Sequence, residues 1–229
     1  MYFDPMYFLF IAPAFIFSLW ASWRTKANFK TYSKVPVSSG MSGAEAARRL
    51  LDGAGINDVQ IGRSRGMLSD HYNPVNKTLA LSDGVFDSRS LAAVGIAAHE
   101  AGHAIQHAKH YGPLKLRSML VPTASIGSNL GYMVMLLGLF ISPNLVLIGA
   151  VLFSAVLIFQ IVTLPVEFDA SNRAKALVVE KGIVGVAERR GMDKVLNAAA
   201  MTYVAAVASS ISTLLYFLVR SGLLGGSRD

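Results

Sequence analysis

The sequence predicts a mainly α-helical membrane protein with a small α+β part outside the bilayer. Three observations carry that expectation. Charge is scarce, since 15% of the 229 residues are charged and 53% are hydrophobic, whereas a soluble domain runs near a quarter charged. The charges are also missing in blocks, with none in Pro5–Trp23, Ser118–Val166 or Val195–Val219. Outside those blocks, the alanine-rich run Ala97-Ala-His-Glu-Ala-Gly-His-Ala104 places two histidines at a metal-ligand spacing on a helical repeat.

Taken in order, the first uncharged block is long enough to cross a bilayer once, so a membrane helix is expected over 5–23. It follows Asp4, and its basic flank of Arg24, Lys26, Lys30 and Lys34 lies on the far side. That is the pattern of an anchor, not of a cleaved leader. Ser42-Gly-Ala-Glu45 is a capping box that opens a helix over 43–52, stopped by Gly53 and Gly55. Strand-like runs follow at 59–61, 67–72 and 78–82, separated by glycines and by Asn73-Pro74. The helix carrying the histidines is expected from Ser88 to His110, capped by Asp87 or Ser88. Arg89 and Lys109 flank it, which leaves its apolar stretch too short to span a membrane.

The second uncharged block is long enough for two crossings, with Ser142-Pro143-Asn144 as the turn between helices over 121–141 and 145–164. Ser125, Ser128 and Asn129 dilute the first of these. The last block predicts a fourth membrane helix over 197–219. All but two of the 21 lysines and arginines lie in 24–117 and 173–194, the exceptions being Arg220 and Arg228. Positive residues stay inside, so both basic segments are expected in the cytoplasm and both termini outside. The same asymmetry accounts for the net charge of +7 without a nucleic-acid partner. With no internal repeat or linker, residues 1–229 read as a single membrane-embedded domain whose cytoplasmic parts are 24–118 and 165–196.

His99, Glu100 and His103 are an instance of H-E-x-x-H. On a helix, His99 and His103 sit one turn apart on one face, so both imidazoles reach a single ion. Glu100 is then placed to serve as general base towards water that the metal activates. The chain has no cysteine, so any metal here is held by imidazole and carboxylate alone. A catalytic Zn2+ takes three protein ligands. The extension H-E-x-x-H-x-x-G-x-x-H is closed, because Gln106 and Lys109 stand where it needs Gly and His. Among the acidic residues after His103, namely Glu167, Asp169, Glu180, Glu188, Asp193 and Asp229, Glu167 is the best placed. It follows Pro165 at the cytoplasmic end of the third membrane helix. The competing reading is a membrane-edge glutamate paired with Arg173.

Val166-Glu-Phe-Asp-Ala-Ser-Asn-Arg-Ala174 together with Ala98-His-Glu-Ala-Gly-His-Ala104 resembles the bacterial neutral zinc metallopeptidases of the YugP type, a family of membrane proteases. Asp70-His-Tyr-Asn-Pro74 and Leu79–Phe86 fit the same family, and the resemblance covers most of the chain. More distantly the chain is similar to HtpX-like membrane gluzincins, which also insert a membrane hairpin between the histidine helix and the glutamate helix. In those relatives the second motif is E-x-x-x-D, and its aspartate orients a ligand histidine. Here that position is Ser171, so the resemblance leaves Ser171, Asp169 or another group to hold the histidines.

Other candidates are weaker. His71, in a strand just before a proline turn, could donate to an oxyanion or touch substrate, against a structural role. Tyr72 and Tyr203 are lesser candidates for that task. His107 continues the i, i+4 series, but the face has rotated about 80° from His99, and it reads as a solvent or headgroup residue. His110 reads as a cation at a helix C-terminus. Leu51-Asp52-Gly53 matches the ligand motif of site-2 proteases, but it precedes the histidines and ends a soluble helix.

These features imply a zincin-like cytoplasmic part with a short sheet, and an integral-membrane zinc endopeptidase of gluzincin type acting at the cytoplasmic face of the cell membrane. Its partners are protein or peptide substrates, membrane proteins among them, and the bilayer. The 78–82 strand is expected to hold substrate extended by strand addition. The alternatives are a site-2-type intramembrane protease, against which the charged flanks of the histidine helix argue, and a non-catalytic membrane scaffold or chaperone with a structural zinc site. A structural site has no need of Glu100.

Overall fold

Long helices dominate the computed structural model, which describes residues 4–66 and 68–225. In chain order they and the strands are α1 (Pro5–Tyr32), α2 (Gly43–Gly53), β1 (Gln60–Ser64), β2 (His71–Asn73), β3 (Thr78–Ser82), α3 (Asp83–Phe86) and α4 (Leu91–Ala108). Helix α5 (Gly112–Ile126) then passes through one π-helical turn (Gly127–Gly131) into α6 (Tyr132–Ile141), followed by α7 (Pro143–Glu180) and α8 (Val186–Arg220). Contacts divide the chain into two compact units. The first is Met1–Ser22, Leu116–Leu164 and Met201–Asp229, and the second is Trp23–Lys115 and Pro165–Ala200.

The first unit holds the apolar parts of four helical runs long and apolar enough to cross a membrane: Pro5–Tyr32, Gly112–Ile141, Pro143–Glu180 and Val186–Arg220. Every one of them outlasts its expected span. At 38 residues, α7 is roughly 57 Å long, against about 30 Å of hydrocarbon core. The helix therefore has length to spare for the charged residues after Pro165. Ser142 ends α6 in an extended conformation and Pro143 opens α7, where a missing N–H costs nothing. Glycines let this hairpin close tightly: a Cβ on Gly131 would lie 2.6 Å from the Phe153 backbone nitrogen, and one on Gly127 2.5 Å from the Leu152 carbonyl oxygen. Small residues at such crossings are how helices gain packing where lipid supplies no hydrophobic drive. Asp4 accepts hydrogen bonds from Tyr216 and Arg220, both 3.1 Å, tying the start of α1 to the end of α8.

The second unit begins with the capping box, whose two reciprocal bonds are both present: Glu45 N to Ser42 Oγ at 3.3 Å and Ser42 N to Glu45 Oε2 at 2.7 Å. Ala46, Ala47, Leu50 and Leu51 of α2 are buried, and α2 packs on α4. Gly55 follows in the left-handed region, φ +74°, which terminates the helix cheaply.

The sheet order is β1-β3-β2, with β1 parallel and β2 antiparallel to β3. This overturns the expectation that 78–82 receives substrate. Both edges of β3 are already paired over Thr78–Ala80, Leu79 to Ile61 on one side and to Tyr72 on the other, so β3 is not an edge strand open to an added one. Burial of Leu79, Ala80 and Leu81 fits a central strand covered on both faces. The strand expected over 67–72 is instead His71–Asn73, and Met67 lies outside the described residues.

Helix α4 is shorter than expected at both ends. Ser90, not Asp87 or Ser88, caps it by accepting from Ala93 N at 3.3 Å. Asp87 is taken by Arg63 and Ser88 donates to Ser90. At the other end α4 stops at Ala108, and His110 takes a left-handed backbone, φ +51°. Its alanines and glycines are buried almost all round. A Cβ on Gly102 would meet the Ala170 carbonyl oxygen at 2.7 Å, so α4 and α7 approach backbone to backbone beside the second histidine.

Candidate metal centre

Helix α4 presents His99 and His103, and α7 crosses it at Gly102 and Ala170 to bring Glu167 between them. His99 Nε2 lies 3.2 Å and His103 Nε2 3.5 Å from the same oxygen, Glu167 Oε2. The three donor atoms all fall within 4.8 Å of one another. The imidazole rings stand nearly perpendicular at 82°, their centroids 4.7 Å apart. Glu167 is 2% exposed and His103 7%, so the carboxylate and both rings meet largely out of water.

The groups behind the histidines answer the question that Ser171 raised. Ser171 Oγ is 3.1 Å from His99 Nδ1. Gln106 Oε1 is 3.0 Å from His103 Nδ1, and Gln106 Nε2 donates to Val166 O and to Asp169 Oδ2, both at 2.8 Å. Asp169 in turn accepts from Arg173 at 2.5 and 3.2 Å. Asp169 thus reaches His103 only through Gln106. Arg173 is thus paired with Asp169 and not with Glu167, against the competing sequence reading. Gln106 escaped the sequence reading except as the residue that closes one extension. Its signal was there: a glutamine in an alanine-rich helix, three residues after His103 and therefore on nearly the same face.

The cluster has an unusual electrostatic demand. Burial pushes the Glu167 carboxyl up, but the bonds from His103 and His99 outweigh it and hold that carboxyl far below the carboxylate range. Burial pushes His103 down, and Glu167 and the charge of Glu100 more than reverse that and raise it. Both shifts express the mutual attraction of two imidazoles and a carboxylate brought together out of water. Ligand atoms about 2.0–2.1 Å from a tetrahedral zinc are about 3.3 Å from each other, which agrees with the 3.2 and 3.5 Å measured from Glu167. Two imidazole nitrogens and one carboxylate oxygen are also a donor set that leaves a coordination position for catalysis. The residues present fit the metal.

Glu100 is 8% exposed, and its side chain accepts no hydrogen bond from the described residues. Neither of its oxygens is a fully buried unpartnered atom, so the carboxylate keeps access to water. His71 lies elsewhere in character: it is exposed on β2 and its Nδ1 donates to Ser69 O at 2.8 Å. Among the described residues it is not part of the cluster that His99, His103 and Glu167 form. Its neighbour Tyr72 faces α4, with its hydroxyl 2.8 Å from His107 Nδ1. His107 is thus a tether between α4 and the sheet, not a solvent residue. Tyr203 belongs to α8 in the first unit. Leu51 is buried in the core and Asp52 faces Arg48 at 3.5 Å, as befits the end of α2.

Comparison with known proteins agrees with this geometry. Residues 7–222 match the family model described as "Putative neutral zinc metallopeptidase". The chain is 45% identical over 216 residues to "Putative membrane protease YugP" of Bacillus subtilis (strain 168), covering 93% of this chain and 96% of that protein. No solved structure matches.

Proposed function

The chain belongs to the neutral zinc metallopeptidases and is a membrane-embedded member of them, and from that premise we propose a mechanism: peptide-bond hydrolysis at the cytoplasmic membrane face, with His99, His103 and Glu167 holding one zinc and Glu100 as general base. The observation that carries the proposal is the convergence of both imidazoles on one buried carboxylate oxygen. When bound, zinc polarises the scissile carbonyl and makes water more acidic. Glu100 accepts the proton of the attacking water and returns it to the leaving amine, so one carboxylate is base and then acid. Its freedom from other hydrogen bonds suits that exchange. Glu167, enclosed by the two rings, is committed to the metal and takes no part in proton transfer. His71 keeps the role of a candidate substrate contact through its place on an edge strand. With β3 closed, strand addition by an extended substrate falls to β2, which packs on α4. In this reading residues 1–229 act as a single peptidase.

Purified protein should carry about one zinc per chain, and casein hydrolysis in detergent should stop on chelation and return with added zinc. Activity that survives complete removal of metal would overturn the proposal. For orientation, a cytoplasm-active reporter placed in the 53–66 region should signal inside, while one at the C-terminus should signal outside. Matching signals would mean that one of the four helical runs does not cross.

A further inference from the structure

Gln106 has no exposed surface and makes three hydrogen bonds whose donor and acceptor roles leave no freedom. Its two N–H groups point at Val166 O and Asp169 Oδ2, each 2.8 Å away. Neither atom can donate, because one is a carbonyl and the other belongs to a carboxylate gripped by Arg173. Turning the amide over would set its oxygen against two acceptors, so the amide has one orientation. Gln106 Oε1 therefore faces His103 Nδ1 at 3.0 Å, and a carbonyl oxygen accepts only. Glu167 Oε2 is an acceptor on the other side of the ring, but it stands 3.5 Å from Nε2 against 3.0 Å for Gln106, so the shorter contact favours the proton of a neutral His103 on Nδ1. That leaves the lone pair on Nε2, the atom 3.5 Å from Glu167.

We infer that Gln106 is a positioning residue that selects the metal-binding tautomer of His103. The inference rests on the reading of His103 as a zinc ligand. Ser171 cannot do the same for His99, because a hydroxyl both donates and accepts. The control of ring state is thus one-sided, through α4's own glutamine. The second consequence is positional. Val166 and Asp169 flank Glu167 on α7, so the amide that orients His103 also sets the register of the carboxylate opposite it. Asp169 and Arg173 act one step further out, by holding the amide. A free imidazole favours the opposite tautomer, with its proton on Nε2, which would have to be lost before that nitrogen could bind a metal.

The test uses the full chain in detergent, labelled with 15N-histidine and freed of zinc, at a pH where His103 is neutral. Long-range proton–nitrogen correlations distinguish the two tautomers, and His103→Ala assigns the signal. Wild-type protein should show His103 protonated on Nδ1. Gln106→Met, which keeps the volume and removes the amide, should shift the ring towards the Nε2-protonated form and weaken zinc binding about 10–100-fold in competition with a chelator. An Nε2-protonated ring in the wild type overturns the inference and requires no variant to fold. So does a Gln106→Met protein that loses zinc while its ring stays protonated on Nδ1, because the amide would then act through packing alone. Wild-type zinc affinity in Gln106→Met overturns it too. Full zinc occupancy in His103→Ala is a different result, and it strikes the assignment of the metal centre itself.

Discussion

Replacing Glu100 by Gln should leave zinc bound and lower turnover by about 10²–10⁴-fold, the usual contribution of a positioned general base. The substitution keeps the shape of the side chain and removes its ability to take a proton. The fold should be unaffected, because the carboxylate accepts no hydrogen bond from the described residues; its charge acts on His103, which keeps its bond to Gln106. Metal content and peptide hydrolysis measured on the same preparation make the comparison direct. Loss of zinc together with activity would make Glu100 a ligand and defeat the assignment of Glu167. Retention of both would remove Glu100 from the chemistry.

A larger effect on metal is expected at Glu167. Its carboxylate touches both histidines, whereas Asp169, two residues on, is engaged by Arg173 and Gln106. Residues two apart on a helix point about 200° apart, and here only the first reaches both rings directly. Glu167→Gln should reduce zinc affinity sharply and abolish activity with it, since the amide removes the negative charge that the two imidazoles and a cation converge upon. Asp169→Asn should keep zinc and change rate or affinity by no more than roughly 10–100-fold. The amide of Gln106 would still be oriented by Val166 O, and the asparagine would still offer an oxygen to it. Metal loss confined to Asp169→Asn would reverse the two roles and take the protein out of the glutamate-ligand class.

Much of the centre was readable from local spacing. His99 and His103 are one helical turn apart whatever surrounds them, because an α-helix sets that geometry within the segment itself. The uncharged blocks likewise announce four membrane-crossing helices by composition alone. Their ends were less legible. Helices α7 and α8 continue well beyond their apolar stretches, running through Pro165 and Gly191, since polar residues are good helix formers outside a bilayer. The cap of α4 was misplaced by two residues because Ser88 and Ser90 are both competent caps. The choice between them depends on neighbours that the sequence does not rank.

What the sequence by itself determined is therefore the pair of histidines, the carboxylate beside them and the membrane character of the chain, all of them properties of short windows. Tertiary structure alone decided that Ser171 stands behind His99, that β3 is the central strand, and that Gln106 ties His103 to Val166 and Asp169 on either side of Glu167. The pairings at the metal centre join segments roughly 60–70 residues apart along the chain, as Gln106 and Val166 or His99 and Ser171 are. Such partners are chosen by how closely two backbones can approach, here at Gly102 and Ala170, and no local periodicity records that distance.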